Sequence, residues 1–227
     1  MKKTTVIIIL AIIMGIPSLV SAQKKGKEFS GTIDFVMTYE GVDPAQEAQM
    51  PKAYKTIISG SKSKSILDAG MYAMNTITDG DAETLLIYLD LMGQKMAYKQ
   101  TKEELDKARN EGPKPTVKLI DETKVIAGYT CKKAEIIVID EETLEENVTT
   151  IWYTDEIGIS PKANFANQFE GVVGYPLETI SKGNGMTQTM TATNVKKGKV
   201  KATEFLLPSD AKEMTLEEFR AMFGGGE

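Results

Sequence analysis

The chain has 227 residues, a net charge of −5 from 27 Lys and Arg against 32 Asp and Glu, and no histidine. An acidic chain has no electrostatic means of holding DNA, RNA or an anionic membrane surface. Without histidine, a Ser-His-Asp triad, a Cys-His pair and a His-bearing zinc site are excluded, which leaves carboxylate pairs, Ser-Lys pairs and Met or carboxylate metal sites.

The first residues, MKKTTVIIILAIIMGIPSLVSAQ, read as a signal peptide. Lys2 and Lys3 form a positive start, Val6 to Ile16 an apolar run of eleven residues, and Val20-Ser21-Ala22 a small-residue cleavage site before Gln23. The run is too short to span a bilayer comfortably, which takes ~20 residues. Gln23 stands where a lipoprotein would carry its acceptor cysteine, so residues 1–22 predict a soluble periplasmic protein, with secretion as the alternative. Cleavage removes two lysines and no acid, so the net charge of −5 falls to −7 on the remaining 205 residues. Residues 23–227 suit a single domain. One cysteine cannot close an intrachain disulfide, so that domain must stand on its core.

Gly31 to Glu40 alternates, with Ile33, Phe35, Met37 and Tyr39 on one face, and reads as a half-buried strand. Asp43 caps a short helix with Pro44 at its first position. Five β-like runs follow: AYKTIIS, SKSILD, MYAMNTIT, ETLLIYLDL and QKMAYKQ, separated by Gly-containing turns. TKEELDKARN is a helix with a Thr101/Glu104 capping box, ended by Gly112-Pro113. PTVKLID resumes the strands. VIAGYTCKKAEIIVID reads as one long strand in which Gly128 marks a bulge, and VTTIWYT follows an acidic loop. Ser160-Pro161 opens a short helix carrying Phe165 and Phe169 on one face. YPLETIS, GMTQTMTATNVK and KVKATEFLL read as closing strands. Thr215 and Glu218 box a last helix with Leu216, Phe219 and Met222 or Phe223 on its apolar stripe. Residues 224–227 form a Gly-rich tail expected to fray. This order predicts a mainly β fold: one large curved antiparallel sheet, an open half-barrel, with a few short helices over its concave face.

Few chemical constellations survive scrutiny. Cys131 has adjacent lysines but no base, and free cysteines are commonly buried, so packing is favoured over reactivity. Its strand parity groups it with Lys133 and Glu135 on a mixed face, while Ala134, Ile136 and Val138 form an apolar one. The Ser-x-x-Lys matches at Ser59 and Ser61 sit in a turn and lack companion motifs. Asp79, Asp81 and Glu83 lack the Gly at position six and the Glu at position twelve that a calcium loop requires. Nothing singles out a carboxylate pair for glycoside hydrolysis. Ten methionines follow the signal segment, including Met71, Met74, Met92, Met96, Met186 and Met190. They suit gap-filling, a deformable apolar lining or a thioether site for Cu(I); Met92 and Met96 share one strand parity, as do Met186 and Met190.

Ile126-Ala127-Gly128-Tyr129, Cys131-Lys132-Lys133, Trp152-Tyr153-Thr154 with Asp155-Glu156-Ile157-Gly158, and Gly174-Tyr175-Pro176-Leu177-Glu178 resemble an uncharacterised family of exported Bacteroidota proteins. Such proteins are similar in architecture to the lipoprotein carriers LolA and LolB, which implies an incomplete barrel with helices over an apolar hollow. It implies no catalytic residue. The expected function is non-catalytic binding of a lipid, a lipoprotein acyl chain or another hydrophobic ligand. Strand parity nominates Phe35, Met37, Met96, Tyr98, Trp152, Met186 and Met190 as its lining. No cofactor, no nucleic-acid partner, no membrane span after cleavage and a monomeric state are expected. The alternatives are a structural or protein-interaction module with a filled core, and Met-based copper binding.

Overall fold

The computed structural model describes residues 28–222, apart from 112, 113, 140–143, 145, 168 and 184. The expected signal segment 1–22, the Gly112-Pro113 stop, Phe223 and the tail 224–227 lie outside the described residues, as does most of the acidic loop before VTTIWYT.

Twelve strands build a single sheet that does not close into a barrel: β1 (Ser30–Glu40), β2 (Ala53–Ser59), β3 (Lys62–Asp68), β4 (Tyr72–Asp79), β5 (Thr84–Leu91), β6 (Gln94–Gln100), β7 (Thr116–Ile126), β8 (Tyr129–Ile139), β9 (Glu146–Thr154), β10 (Tyr175–Gly183), β11 (Met186–Lys197) and β12 (Lys212–Glu213). Their order is β12-β6-β5-β4-β3-β2-β1-β11-β10-β9-β8-β7. Two antiparallel meanders, β1 to β6 and β7 to β11, are therefore joined along β1 and β11. Only β12 runs parallel to its neighbour, over two residues beside β6. The helices are α1 (Pro44–Glu47), α2 (Lys102–Glu111) and α3 (Leu216–Met222).

Local chemistry sets these elements. In β1 the alternation holds, with Ile33, Phe35, Met37 and Tyr39 buried between half-buried or exposed neighbours. The Asp43 carboxylate accepts from the Ala45 amide at 2.8 Å and starts α1. Both capping boxes form: the Thr101 amide donates to Glu104 at 2.7 Å, and the Thr215 amide to Glu218 at 2.8 Å.

Four sequence expectations change. The stretch from Val125 to Asp140 is not one strand. Ala127 and Gly128 take φ of 48° and 85°, the geometry of a two-residue type I′ turn, and join β7 to β8 as a hairpin. Gly128 is thus the turn itself, and no bulge in a continuous strand. Met92 and Gly93 turn in the same way, with φ of 51° and 91°, so Met92 and Met96 do not share a strand; Met92 is exposed at the hairpin tip. KVKATEFLL is no strand. It is irregular with a 3-10 helix, Ala202–Phe205, and Phe205, Leu207 and Ala211 pack on Ile77, Tyr88 and Ala97 of β4 to β6. Phe205 and Leu207 are covered by lying on a sheet face rather than by pairing at an edge, while Leu206 stays exposed. Finally, the segment after Ser160 is a 3-10 helix, Pro161–Asn167, broken at Asn164 (φ −126°, ψ 26°), and Phe169 lies beyond its end.

Two other apolar clusters complete the core, the first spanning both meanders and the second within β7 to β9 and the connection that follows. One gathers Phe29, Ile33, Phe35, Ile58, Cys131, Trp152, Tyr175 and Leu177. The other joins Ala134, Ile136, Ile151 and Tyr153, with Val117, Phe169 and Val172 against it. No helix among the described residues is long and apolar enough to cross a membrane.

Candidate binding cavity

Curvature of the sheet brings strands from both meanders around one hollow, a cavity of about 940 Å³. Ser63, Ser65 and Leu67 of β3 and Met74, Thr76 and Thr78 of β4 form one wall. Ile136 and Val138 of β8 and Thr149 and Ile151 of β9 form another. Phe35, Tyr54, Thr179 and Met190 line the strands between. The Phe35 and Tyr54 rings meet edge to face with centroids 5.6 Å apart, which fixes this part of the lining.

Described residues of the connection from β9 to β10 supply the cover through Ile159, Pro161, Asn164, Phe169 and Val172. This connection crosses the hollow and is fastened to the far meander. Ser63 Oγ donates to the Ala163 carbonyl at 2.7 Å. Lys162 pairs with Asp81 at 2.8 Å, and Ser61 Oγ donates to the same carboxylate at 2.6 Å. The bonds from Lys162 and Ser61 hold the Asp81 carboxyl below the usual range. At Gly80 the backbones come so close that a Cβ would lie 2.0 Å from the Lys162 carbonyl oxygen. Glycine is required there by space.

No Asp, Glu, Lys or Arg is among the described residues lining the cavity. Its polar groups are hydroxyls, one amide and two phenols. The Tyr175 phenol donates to Thr56 Oγ1 at 3.3 Å, and burial pushes its pKa far above the ordinary value. Burial also raises Tyr54, despite hydrogen bonds with Ser65 and Thr56. Both phenols therefore stay protonated across the physiological range.

Of the seven nominated residues, Phe35 and Met190 line this cavity. Met37 is the direct cross-strand partner of Met190 and is buried beside it, outside the lining. Met186 lies at the far end of β11, half-buried. Met96 and Tyr98 share the inner sheet face through Leu89 and Ile87 of β5, but on β6, away from the cavity lining. There the Tyr98 hydroxyl bonds Glu104 of α2 at 2.9 Å, and its ring lies 5.7 Å from Phe219 of α3. Trp152 follows Ile151 in β9 and so points to the opposite face. Lys124 Nζ sits 4.3 Å from its ring centroid and also pairs with Glu178.

Sequence reasoning missed Leu67, Tyr54, Ile151 and Tyr175 as lining residues. Signals existed for others. Met74 belongs to the methionine set, Phe169 was placed on an apolar face, and Ile136 and Val138 were on the clean apolar parity. Cys131, read as lying on a mixed face, is fully buried at 0% exposure. The β7–β8 turn folds Ile126 into the same cluster and, with Trp152 and Ile157, covers that face locally. Among the described residues no three His, Cys, Asp or Glu gather into a metal-holding group.

The fold and site define an open antiparallel half-barrel with an uncharged, largely apolar interior. The sequence matches the family described as "N-glycanase peptide, N-terminal domain" over residues 91–217, more than half of the chain. The chain belongs to that family. It superposes on the solved structure of PNGF-II with a TM-score of 0.56 at 17% identity, covering 87% of this chain and 33% of that one. This chain thus spans about a third of the length of PNGF-II. Two other structures superpose more loosely: LprF from Mycobacterium bovis (TM-score 0.33, 13% identity, 83% of this chain and 91% of that one) and a DUF1329 family protein from Desulfovibrio piger (TM-score 0.36, 9% identity, 80% and 91%). No curated protein matches the sequence significantly.

Proposed function

We propose that the protein binds a hydrophobic small molecule or acyl chain inside the half-barrel, as a non-catalytic carrier or receptor of the periplasm. The observation that carries this reading is the cavity of about 940 Å³. Its size is that of a ligand pocket, roughly 300 to 1,000 Å³. Burying a methylene contributes about 0.8 kcal/mol, so a dozen would supply roughly 10 kcal/mol. That is of the order of the ~4–15 kcal/mol of freedom lost on association. The non-catalytic part of the reading is supported by the lining: its titratable groups, Tyr54 and Tyr175, are pushed up by burial and make poor bases at neutral pH.

Family membership favours a second reading. The protein would then act beside a glycan-cleaving activity of the kind the family description names, with part of a glycan or glycopeptide in the hollow.

Mass spectrometry of solvent extracts from protein purified out of its native envelope tests the first reading. A lipid in near-stoichiometric amount, and a rise in melting temperature when it is added back, are the expected results. No co-purifying lipid together with no lipid-dependent shift would refute it. A shift with oligosaccharides alone would establish the second.

A further inference from the structure

Resting on that reading, we infer that the part of the ligand inside the cavity is an uncharged lipid with two unlike faces. Hydrocarbon lies against β8 and β9, and neutral oxygen groups, hydroxyl or ester, lie against β3 and β4. A fatty-acid carboxylate or a phospholipid headgroup does not enter.

The two walls differ in kind. On β3 and β4 the register pairs Ser63 with Thr78 and Ser65 with Thr76, so four hydroxyls form a two-by-two patch, bordered by the Leu67–Met74 pair. On β8 and β9, Ile136, Val138 and Ile151 present hydrocarbon, with Thr149 as the polar exception. In the patch, Ser63 is committed to the Ala163 carbonyl and Ser65 to the Tyr54 phenol. No side-chain hydrogen bond engages Thr76 or Thr78 among the described residues, yet no fully buried side-chain oxygen there lacks a partner. The two threonine hydroxyls therefore open onto the hollow, where each can donate one hydrogen bond and accept others. Such placed groups orient a ligand in an otherwise apolar pocket.

The absence of charge is equally informative. A carboxylate or phosphate taken into this lining would lose its hydration and meet no cation among the described residues. A hydroxyl or ester oxygen would exchange water for Thr76 and Thr78. The lysine on the cover, Lys162, does not line the cavity and is paired with Asp81.

Displacement of the neutral dye Nile red at pH 8, below the aggregation limit of each lipid, tests the inference with monomyristoylglycerol and myristate. The two carry the same acyl chain, one uncharged and one anionic. Monomyristoylglycerol should bind at least about tenfold more tightly, the direction set by the cost of burying an unpaired charge. In a T76V/T78V variant the ratio should shrink roughly fivefold, through loss of hydrogen bonds to the neutral head. Equal binding of the two lipids to the unaltered protein overturns the inference and leaves the binding function standing. A ratio unchanged in the variant overturns the assignment of the patch. If neither lipid nor dye binds, the function proposed above fails.

Discussion

Cys131 is held by packing and withheld from chemistry. Its thiol donates a weak hydrogen bond to the Tyr129 carbonyl at 3.6 Å, and Ile126, Trp152 and Ile157 belong to the cluster around it. Burial raises its pKa, and the nearby Glu156 carboxylate adds to the rise. Thiolate is the reactive form, so the native protein should resist a thiol reagent such as DTNB at pH 8. After unfolding in urea the single cysteine should react to one equivalent. Rapid labelling of the native protein would show the thiol to be accessible. Of the two adjacent lysines, Lys133 shares the strand parity of Cys131, and it pairs with Glu122. From residue types alone the missing base was legible. Complete burial was not, because it depends on a hairpin folding Ile126 back into the cluster.

At the scale of elements, the connection from β9 to β10 turns a curved sheet into a covered cavity. Its fastening depends on the Gly80–Lys162 backbone approach, where an added methyl has no room. Gly80→Ala should push the 3-10 helix away from β4, at a cost of about 1–3 kcal/mol. A lowered melting temperature and faster proteolysis within residues 159–174 should report it. An unchanged melting temperature and cleavage pattern would mean that the cover yields freely. Elements with strong local signals were legible: β2 and β6 keep the bounds of AYKTIIS and QKMAYKQ, and both capping boxes start their helices. Elements lacking such signals were misread. Ala127-Gly128 lacks the Asn or Asp that usually announces a type I′ turn. Residues 199–207 have a strand-like composition, but the packing of Phe205 and Leu207 on β4 to β6 overrides it.

For the whole molecule, the missing histidine predicts a flat stability profile through neutral pH, since histidine is the side chain that ordinarily titrates near 6.5. Burial raises the pKa of Tyr39, Tyr54, Tyr153, Tyr175 and Cys131. A raised pKa means that the folded state holds the proton more tightly. The stability these groups contribute is complete below their unfolded values, about 8.5 for Cys and 10 for Tyr, and is lost as pH rises toward the folded ones. On the acid side the signs reverse. Asp79 is pushed up by burial but held below its ordinary value by Lys62, and Asp210 is lowered by Lys95. The Thr101 and Thr215 amides lower Glu104 and Glu218. Their contributions are present above about pH 4 and lost below it. Melting temperature should therefore be level from roughly pH 5.5 to 8, and fall on either side. A steep slope inside that window would contradict this account.

The chain by itself determined the strand periodicity, the helix caps, the exclusion of histidine chemistry and the mainly β open sheet, because each is a local property of spacing and residue type. Only the tertiary structure decided which parities face each other across the hollow. Sheet curvature sets the β3–β4 hydroxyls on one wall and the β8–β9 hydrocarbon on another, about 100 residues apart in sequence at the Ser63–Ala163 clasp. It also left Phe35 and Met190 in the cavity while turning Trp152 to the other face and placing Tyr98 under α2 and α3. Parity assigns a side chain to one of two faces of a strand; whether that face meets a cavity, a helix or another sheet region depends on long-range packing.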